Sequence, residues 1–195
     1  MTINELHIRF DLQPENKINV LNIAASKCSN GYLFVDSSDG HYYLFDENGN
    51  EDDIKKIKRI ENYIFWNCEN LISIVIPDSV KRIGDYVFGH CKNLKSIVIP
   101  NSVKSIGDAA FTYCKNLKSI VIPDSVESIE DYVFWGCENL KLITIPDSVE
   151  WIGYDAFWNC KSLKSLTFKG KTMKQVKEME KYPFGVKDES IIRCV

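Results

Sequence analysis

Histidine is scarce in this 195-residue chain, and the three present, His7, His41 and His90, stand in unrelated contexts. No serine or cysteine has a motif-placed base beside it, so nucleophilic catalysis lacks its general base and the chain is not expected to be an enzyme. A basic excess is also missing. Lys and Arg number 24 against 27 Asp and Glu, a net charge of −3, which leaves no stripe able to release counterions along a nucleic-acid backbone. No run reaches the roughly 18 apolar residues of a membrane span, and MTINELHIRFDLQPENK has no apolar stretch of signal length. A cytoplasmic protein is expected, secreted or surface-bound only if a leader was removed. Ligand sets at zinc spacing are absent. In the acidic DENGNEDD (Asp46 to Asp53), Gly49 stands fourth where an EF-hand loop needs glycine sixth, so neither a metal nor a cofactor is expected.

What the chain does have is a repeat. CENLISIVIPDSVKRIGDYVFGH opens at Cys68 and is followed in phase from Cys91, Cys114 and Cys137, with a last opening, CKSLKSLTFKG, at Cys160; the period is 23 residues without insertion. Such a period is the signature of a stacked array. Five of the seven cysteines therefore form a column, and side-chain vectors that run parallel suit a disulfide poorly. They read as buried free thiols serving as small hydrophobes.

Within a repeat, Leu71, Ile74 and Ile76 point inward along a strand that Pro77 stops, since proline cannot donate to a ladder. Val80, Ile83, Val87 and Phe88 close the coil at spacings that predict a loose or short helical return. One coil cannot offset its own chain entropy, at about 1–2 kcal/mol per residue, so stability must come from stacking. Residues 1–52 do not follow the period. There ELHIRFDL reads as a strand, PENKINVLNIAASK as a helix or a second extended segment, and GYLFVD with HYYLFD as a hairpin: a small β-containing cap. Repeats occupy 53–168, starting mid-repeat. In 169–195 Thr172 caps a short helix bearing Met173, Val176 and Met179, ended by Pro183, which serves as a lid over the last coil.

The sequence CKNLKSIVIPNSVKSIGDAAFTYC closely resembles the BspA-like (Treponema-type) leucine-rich repeat, a likeness that runs from about 57 to 168. The resemblance implies an α/β repeat solenoid, a right-handed superhelix with a parallel concave β-sheet, and a family of mostly protein-binding and cell-surface adhesion roles.

Three faces are candidates for binding a protein partner. The residues flanking the inward isoleucines alternate to the outside: Ser73 and Val75, Ser96 and Val98, Ser119 and Val121, Leu142 and Thr144, then Ser165 and Thr167. That face is small, flat and nearly uncharged. Lys95, Lys118, Lys141 and Lys164 form a column beside it that favours an acidic partner, with Asp78, Asp124 and Asp147 at the opposite strand end. The place after the core phenylalanine varies and holds Trp66, Trp135 and Trp158, a residue type enriched at binding hot spots. The Asp-Ser pairs after proline read as turn chemistry bonding local backbone, and Asn70, Asn93, Asn116 and Asn139 as a column satisfying backbone groups. The expected function is a non-enzymatic protein-protein interaction module. An intracellular antagonist that inhibits a host enzyme through the cap, and an adhesin, are the alternatives. Oligomeric state is not legible.

Overall fold

The computed structural model describes residues 33–36, 41–45, 59–60, 62–69, 71–74, 76 and 78–195. ELHIRFDL, PENKINVLNIAASK and DENGNEDD lie outside them. The chain is a parallel-sheet solenoid whose coils are joined by three separate hydrogen-bond ladders.

The first ladder runs through the segment after each cysteine. β1 (Leu33–Asp36) and β2 (His41–Phe45) form the expected antiparallel hairpin, and β2 then joins β4 (Ser73–Ile74) in parallel. In the middle coils this ladder thins to a single bridge, Val98 to Val121. It resumes as the parallel sheet of β8 (Leu142–Ile145), β10 (Ser165–Phe168) and β11 (Ile192–Cys194).

The second ladder occupies the return, where spacing predicts a loose helix. Instead β3 (Arg59–Ile60), β5 (Arg82–Ile83), β6 (Ser105–Ile106), β7 (Ser128–Ile129) and β9 (Trp151–Ile152) form an unbroken five-stranded parallel sheet. Each strand is two residues long, the second an isoleucine no more than 2% exposed.

The third ladder explains why no helix forms. Two residues per coil take the left-handed conformation: Tyr63, Tyr86, Ala109, Tyr132 and Asp155 in one column, Asn67, His90, Tyr113, Gly136 and Asn159 in the other. For an L-residue this costs about 1–2 kcal/mol. It turns the N–H outward, and Tyr63, Asn67, Tyr86, His90, Ala109, Tyr113, Tyr132 and Gly136 all donate to a carbonyl of the following coil at 2.7–2.9 Å. The strain is offset only when that next coil is present, so stacking is built into the backbone as well as the core.

Side chains repeat the same logic. Phe65, Phe88, Phe111, Phe134 and Phe157 stack with centroids 5.3–5.7 Å apart and rings within 13° of parallel. Each column cysteine from Cys91 onward donates its thiol to the phenylalanine carbonyl of the coil before, for instance Cys114 Sγ to Phe88 O at 3.1 Å. Ser102 and Ser125 donate in the same way to Val80 O and Val103 O, across coils and not within their own turn. Of the asparagines, Asn93 reaches the backbone of Glu69, whereas Asn116 and Asn139 bond the amide above them at 3.3 and 3.5 Å. The asparagine column is thus largely a side-chain ladder.

At the C-terminus, Thr172 and Gln175 form a capping box that starts α1 (Met173–Glu178). Met179 turns extended and ends it, so Pro183 is not the stop. Val176 and Phe184 are buried under the last coil, and Phe157 N–H donates to Phe184 O at 2.9 Å, which continues the third ladder past α1. A 3₁₀ turn (Glu189–Ile191) leads into β11.

One column carries like charges. Asn62, Asp85, Asp108 and Asp131 each use a side-chain oxygen to cap the N–H one period on. Burial raises the Asp108 carboxyl above its ordinary value; the Asp131 N–H opposes this, and the charges of Asp85 and Asp131 add to it. A raised native pKa means that Asp108 stabilises the fold below about pH 3.8 and loses that contribution as pH rises through the native value. Asp108→Asn keeps the capping oxygen and places an amide toward Asp131, as Asn62 does toward Asp85 at 2.8 Å. The variant should gain about 0.5 kcal/mol at pH 7, a value held small by solvent screening, and none near pH 3. Urea titrations at the two pH values check this; an equal gain at both would contradict it.

Candidate functional site

The strand face is built by alternation: Ile97, Ile99, Ile120 and Ile122 are buried, and the residues between them must point outward. Val98 and Val121, joined by the bridge, are 75% and 74% exposed, and Leu142 on the next coil is 58% exposed. Single exposed apolar residues are ordinary, but three neighbours on consecutive coils make a patch. Ser96 and Ser119 are exposed beside the valines, Thr144 is half-buried, and Ser73 lies in β4. Val75 falls outside the described residues. Ser165 and Thr167 are half-buried and bond each other at 3.0 Å.

Lys95, Lys118, Lys141 and Lys164 are all exposed along one edge of this face. Their backbones hold them in register, each N–H bonding the residue one period earlier at 3.0, 3.3, 3.4 and 2.8 Å in turn. None of the four meets an acid among the described residues. Elsewhere the coils do neutralise lysines across the stack: Lys92 with Glu69 and Lys104 with Glu127, both at 2.7 Å, and Lys115 and Lys161 sharing Glu138 at 3.3 and 3.1 Å. Ile72 heads the column and is 37% exposed, a member that sequence reading left out although its place in the period gave it away. At the other strand end Asp78 and Asp124 are exposed and Asp147 pairs with Lys171.

The tryptophans lie on a different part of the coil and are mostly engaged in packing. Trp66 is half-buried over Gly89, where an added Cβ would meet its ring at 2.3 Å, and touches Tyr63, Tyr86 and His90. Trp135 is half-buried against Tyr132 and faces Trp158 at 6.3 Å. Trp158 is partly exposed, with Lys187 Nζ over its ring at 4.9 Å. The buried pair Ala109 and Thr112 separates the two clusters, so Trp66 does not join the others in one strip.

Catalytic geometry is not assembled by the described residues. His90 is held between Trp66 and Tyr113, and burial first, then Lys92 and Lys115, lowers its pKa. Cys91, Cys114 and Cys137 are fully buried with thiols pushed well above their ordinary value by desolvation. Low-pKa, accessible thiols are what nucleophilic chemistry needs. No cluster of three metal-ligating side chains occurs among the described residues, and none of their helices is long and apolar enough to cross a membrane.

The family model for the BspA type leucine rich repeat region matches residues 58–185 in six copies. The chain belongs to this family. The match extends beyond residue 168, consistent with the rung at Phe184 that carries the ladder into the C-terminal segment. Among solved structures, the chain is similar to a leucine-rich repeat protein of T. pallidum, 25% identical with TM-score 0.59, over 71% of this chain and 69% of that one. A leucine-rich repeat protein of Bacteroides ovatus is 25% identical with TM-score 0.52, over 71% of this chain and 48% of that one. The pneumococcal vaccine antigen PcpA shares the fold at 23% identity and TM-score 0.57; this chain covers 34% of its length. No protein of curated function matches the chain. Leucine-rich repeats of this type are typically non-enzymatic scaffolds for protein interaction.

Proposed function

We propose that this protein is a non-enzymatic interaction module that docks a protein partner on the strand face centred on Val98, Val121 and Leu142. The observation that carries the reading is the pair of β-branched side chains, each about three-quarters exposed, on a backbone held rigid by three ladders. A preorganised surface loses little conformational entropy when it binds, and an apolar centre with a charged rim is the usual anatomy of such a contact. The tryptophan clusters are a weaker choice, because their rings are already spent on each other and on Gly89. Free thiols in a stacked column suit a reducing compartment, which favours a cytoplasmic setting.

The test is site-specific photocrosslinking from position 96 or 119 in extract of the native cell, compared with a crosslinker at Lys81 on the return face. A single discrete adduct is expected from the strand face, lost in Val98→Asp with Val121→Asp and retained in Trp135→Ala with Trp158→Ala. Val98→Asp with Val121→Asp should keep the wild-type melting temperature within a few degrees, since surface substitutions shift stability by about 0.5 kcal/mol or less. The tryptophan variant gives up ring packing against Tyr132 and should melt lower, so its crosslinking is measured well below its own transition. An adduct from Lys81 alone, or one indifferent to the aspartates, would move the binding site elsewhere.

A further inference from the structure

We infer that the occupant of the strand face is an amphipathic α-helix of about three turns, lying along the solenoid axis with an acidic stripe over Lys95, Lys118, Lys141 and Lys164. This rests on the docking face proposed above and adds the shape and charge of what it receives.

The argument is one of spacing. Neighbouring coils are one strand apart, about 4.8 Å, so the four lysines stand at roughly 0, 4.8, 9.6 and 14.4 Å along the axis. A helix rises 1.5 Å per residue, so acids at i, i+3, i+7 and i+10 fall at about 0, 4.5, 10.5 and 15 Å and meet every lysine within about 1 Å. An extended segment on the same path presents one face only every ~6.7 Å and is out of step by the second lysine. Nor can it add to the ladder here, because the strands of these coils already have neighbours on both sides.

The cross-section fits as well. Ser96 and Ser119 make a low floor between the lysine edge and the valine row; on the third coil Leu142 stands in this row as an apolar contact under the helix, and the half-buried Ser165 continues the row on the fourth. A helix seated over the serines puts an apolar stripe against Val98 and Val121 and the adjoining acidic stripe toward the lysines. The charges await a partner: these four lysines meet no acid among the described residues, while Lys92, Lys104 and Lys115 are neutralised within the stack.

The probe is a synthetic stapled helix of about 14 residues, three to four turns, with glutamate at i, i+3, i+7 and i+10 and leucine on the adjoining face. Its comparator has the same composition with glutamate at every second position and no staple. Fluorescence anisotropy against the full chain should show the helix binding at least about tenfold tighter than the comparator, weakening as salt rises. Lys118→Glu with Lys141→Glu should lower its affinity about tenfold or more, and a helix with lysine in place of glutamate should bind that variant better than the wild type. Equal or tighter binding by the comparator, indifference to the charge reversal, or no binding by either peptide overturns the helical assignment. If the photocrosslinked adduct at 96 or 119 persists while both peptides fail, the docking face stands and only the identity of its occupant falls; loss of both removes the face itself.

Discussion

Phe111→Ala should cost about 3–5 kcal/mol, a large part of the 5–15 kcal/mol typical of a whole domain. Phe111 is fully buried at the centre of the phenylalanine stack, 5.3 Å from the Phe88 ring and 5.7 Å from Phe134. Alanine leaves a cavity whose walls are those two rings and the aliphatic columns beside them. Each ring is locked by its own backbone rung, Phe88 N–H to Ala110 O and Phe134 N–H to Ala156 O, both at 2.8 Å, so collapse into the void is restricted. In a stack each coil touches only its neighbours, so the deficit falls on one interface and divides the array. The unfolding transition should therefore broaden, with a lower m-value and two components where the wild type has one. Phe157→Ala should cost less, because among the described residues its ring stacks on Phe134 alone. A cost below about 1 kcal/mol at Phe111 would show that the column is fluid, contrary to the close packing of interiors.

Much of this fold was legible because its core is a matter of columns, and a strict period places residues in columns without knowledge of any contact. The cysteines, the leucines and the outward valines all stand where the 23-residue period puts them. The second ladder was not legible. A two-residue strand such as Arg82–Ile83 is too short for a period-two signal, and its partners, Arg59 and Ser105, lie 23 residues away in each direction. The left-handed columns were hidden for another reason: glycine advertises that conformation, and here it is held by Tyr, Asn, His, Ala and Asp, with only Gly136 in the expected form. Spacing that suits a helix was in fact produced by consecutive i to i−3 turns, Trp66 to Tyr63, Cys68 to Phe65 and Leu71 to Cys68, whose other N–H groups leave for the next coil. Phe184 escaped because it stands out of phase with the period, 27 residues after Phe157, although Tyr182, Phe184 and Gly185 repeat the Tyr86, Phe88 and Gly89 of an earlier coil and its carbonyl completes the rung above Phe157. Of the candidate site, the valine face could be read by alternation and the lysine column by period. The period also separates this column from those of Lys92 and Lys104, whose glutamates, Glu69 and Glu127, stand one period away in their own columns, whereas the column of Lys95 holds no acid.

In the native protein Cys91, Cys114 and Cys137 should resist maleimide by at least about four orders of magnitude relative to the unfolded chain, because each must wait for a coil to open. Two effects combine. The thiols are wholly buried, and desolvation raises their pKa well above the ordinary value, so the reactive thiolate is scarce even when a reagent arrives. Cys160, less enclosed and with its thiol pushed up to about 12, should follow next, and the part-exposed Cys68 and Cys194 should react first. Mass spectrometry after quenching in denaturant counts the labels. Rapid labelling of Cys114 would show that the column is open and would remove the shared interior on which the solenoid depends. The same measurement distinguishes the two ways Phe111→Ala can fail. Cys137 donates to Phe111 O at 3.2 Å and Cys114 to Phe88 O at 3.1 Å, so both thiols border the vacated ring, while Cys91 bonds Phe65 O one coil away. If the stack divides at the cavity, Cys114 and Cys137 become reactive before Cys91; if it melts as a unit, all three lose protection together. The order of labelling thus reads out whether neighbouring coils share their stability evenly or interface by interface.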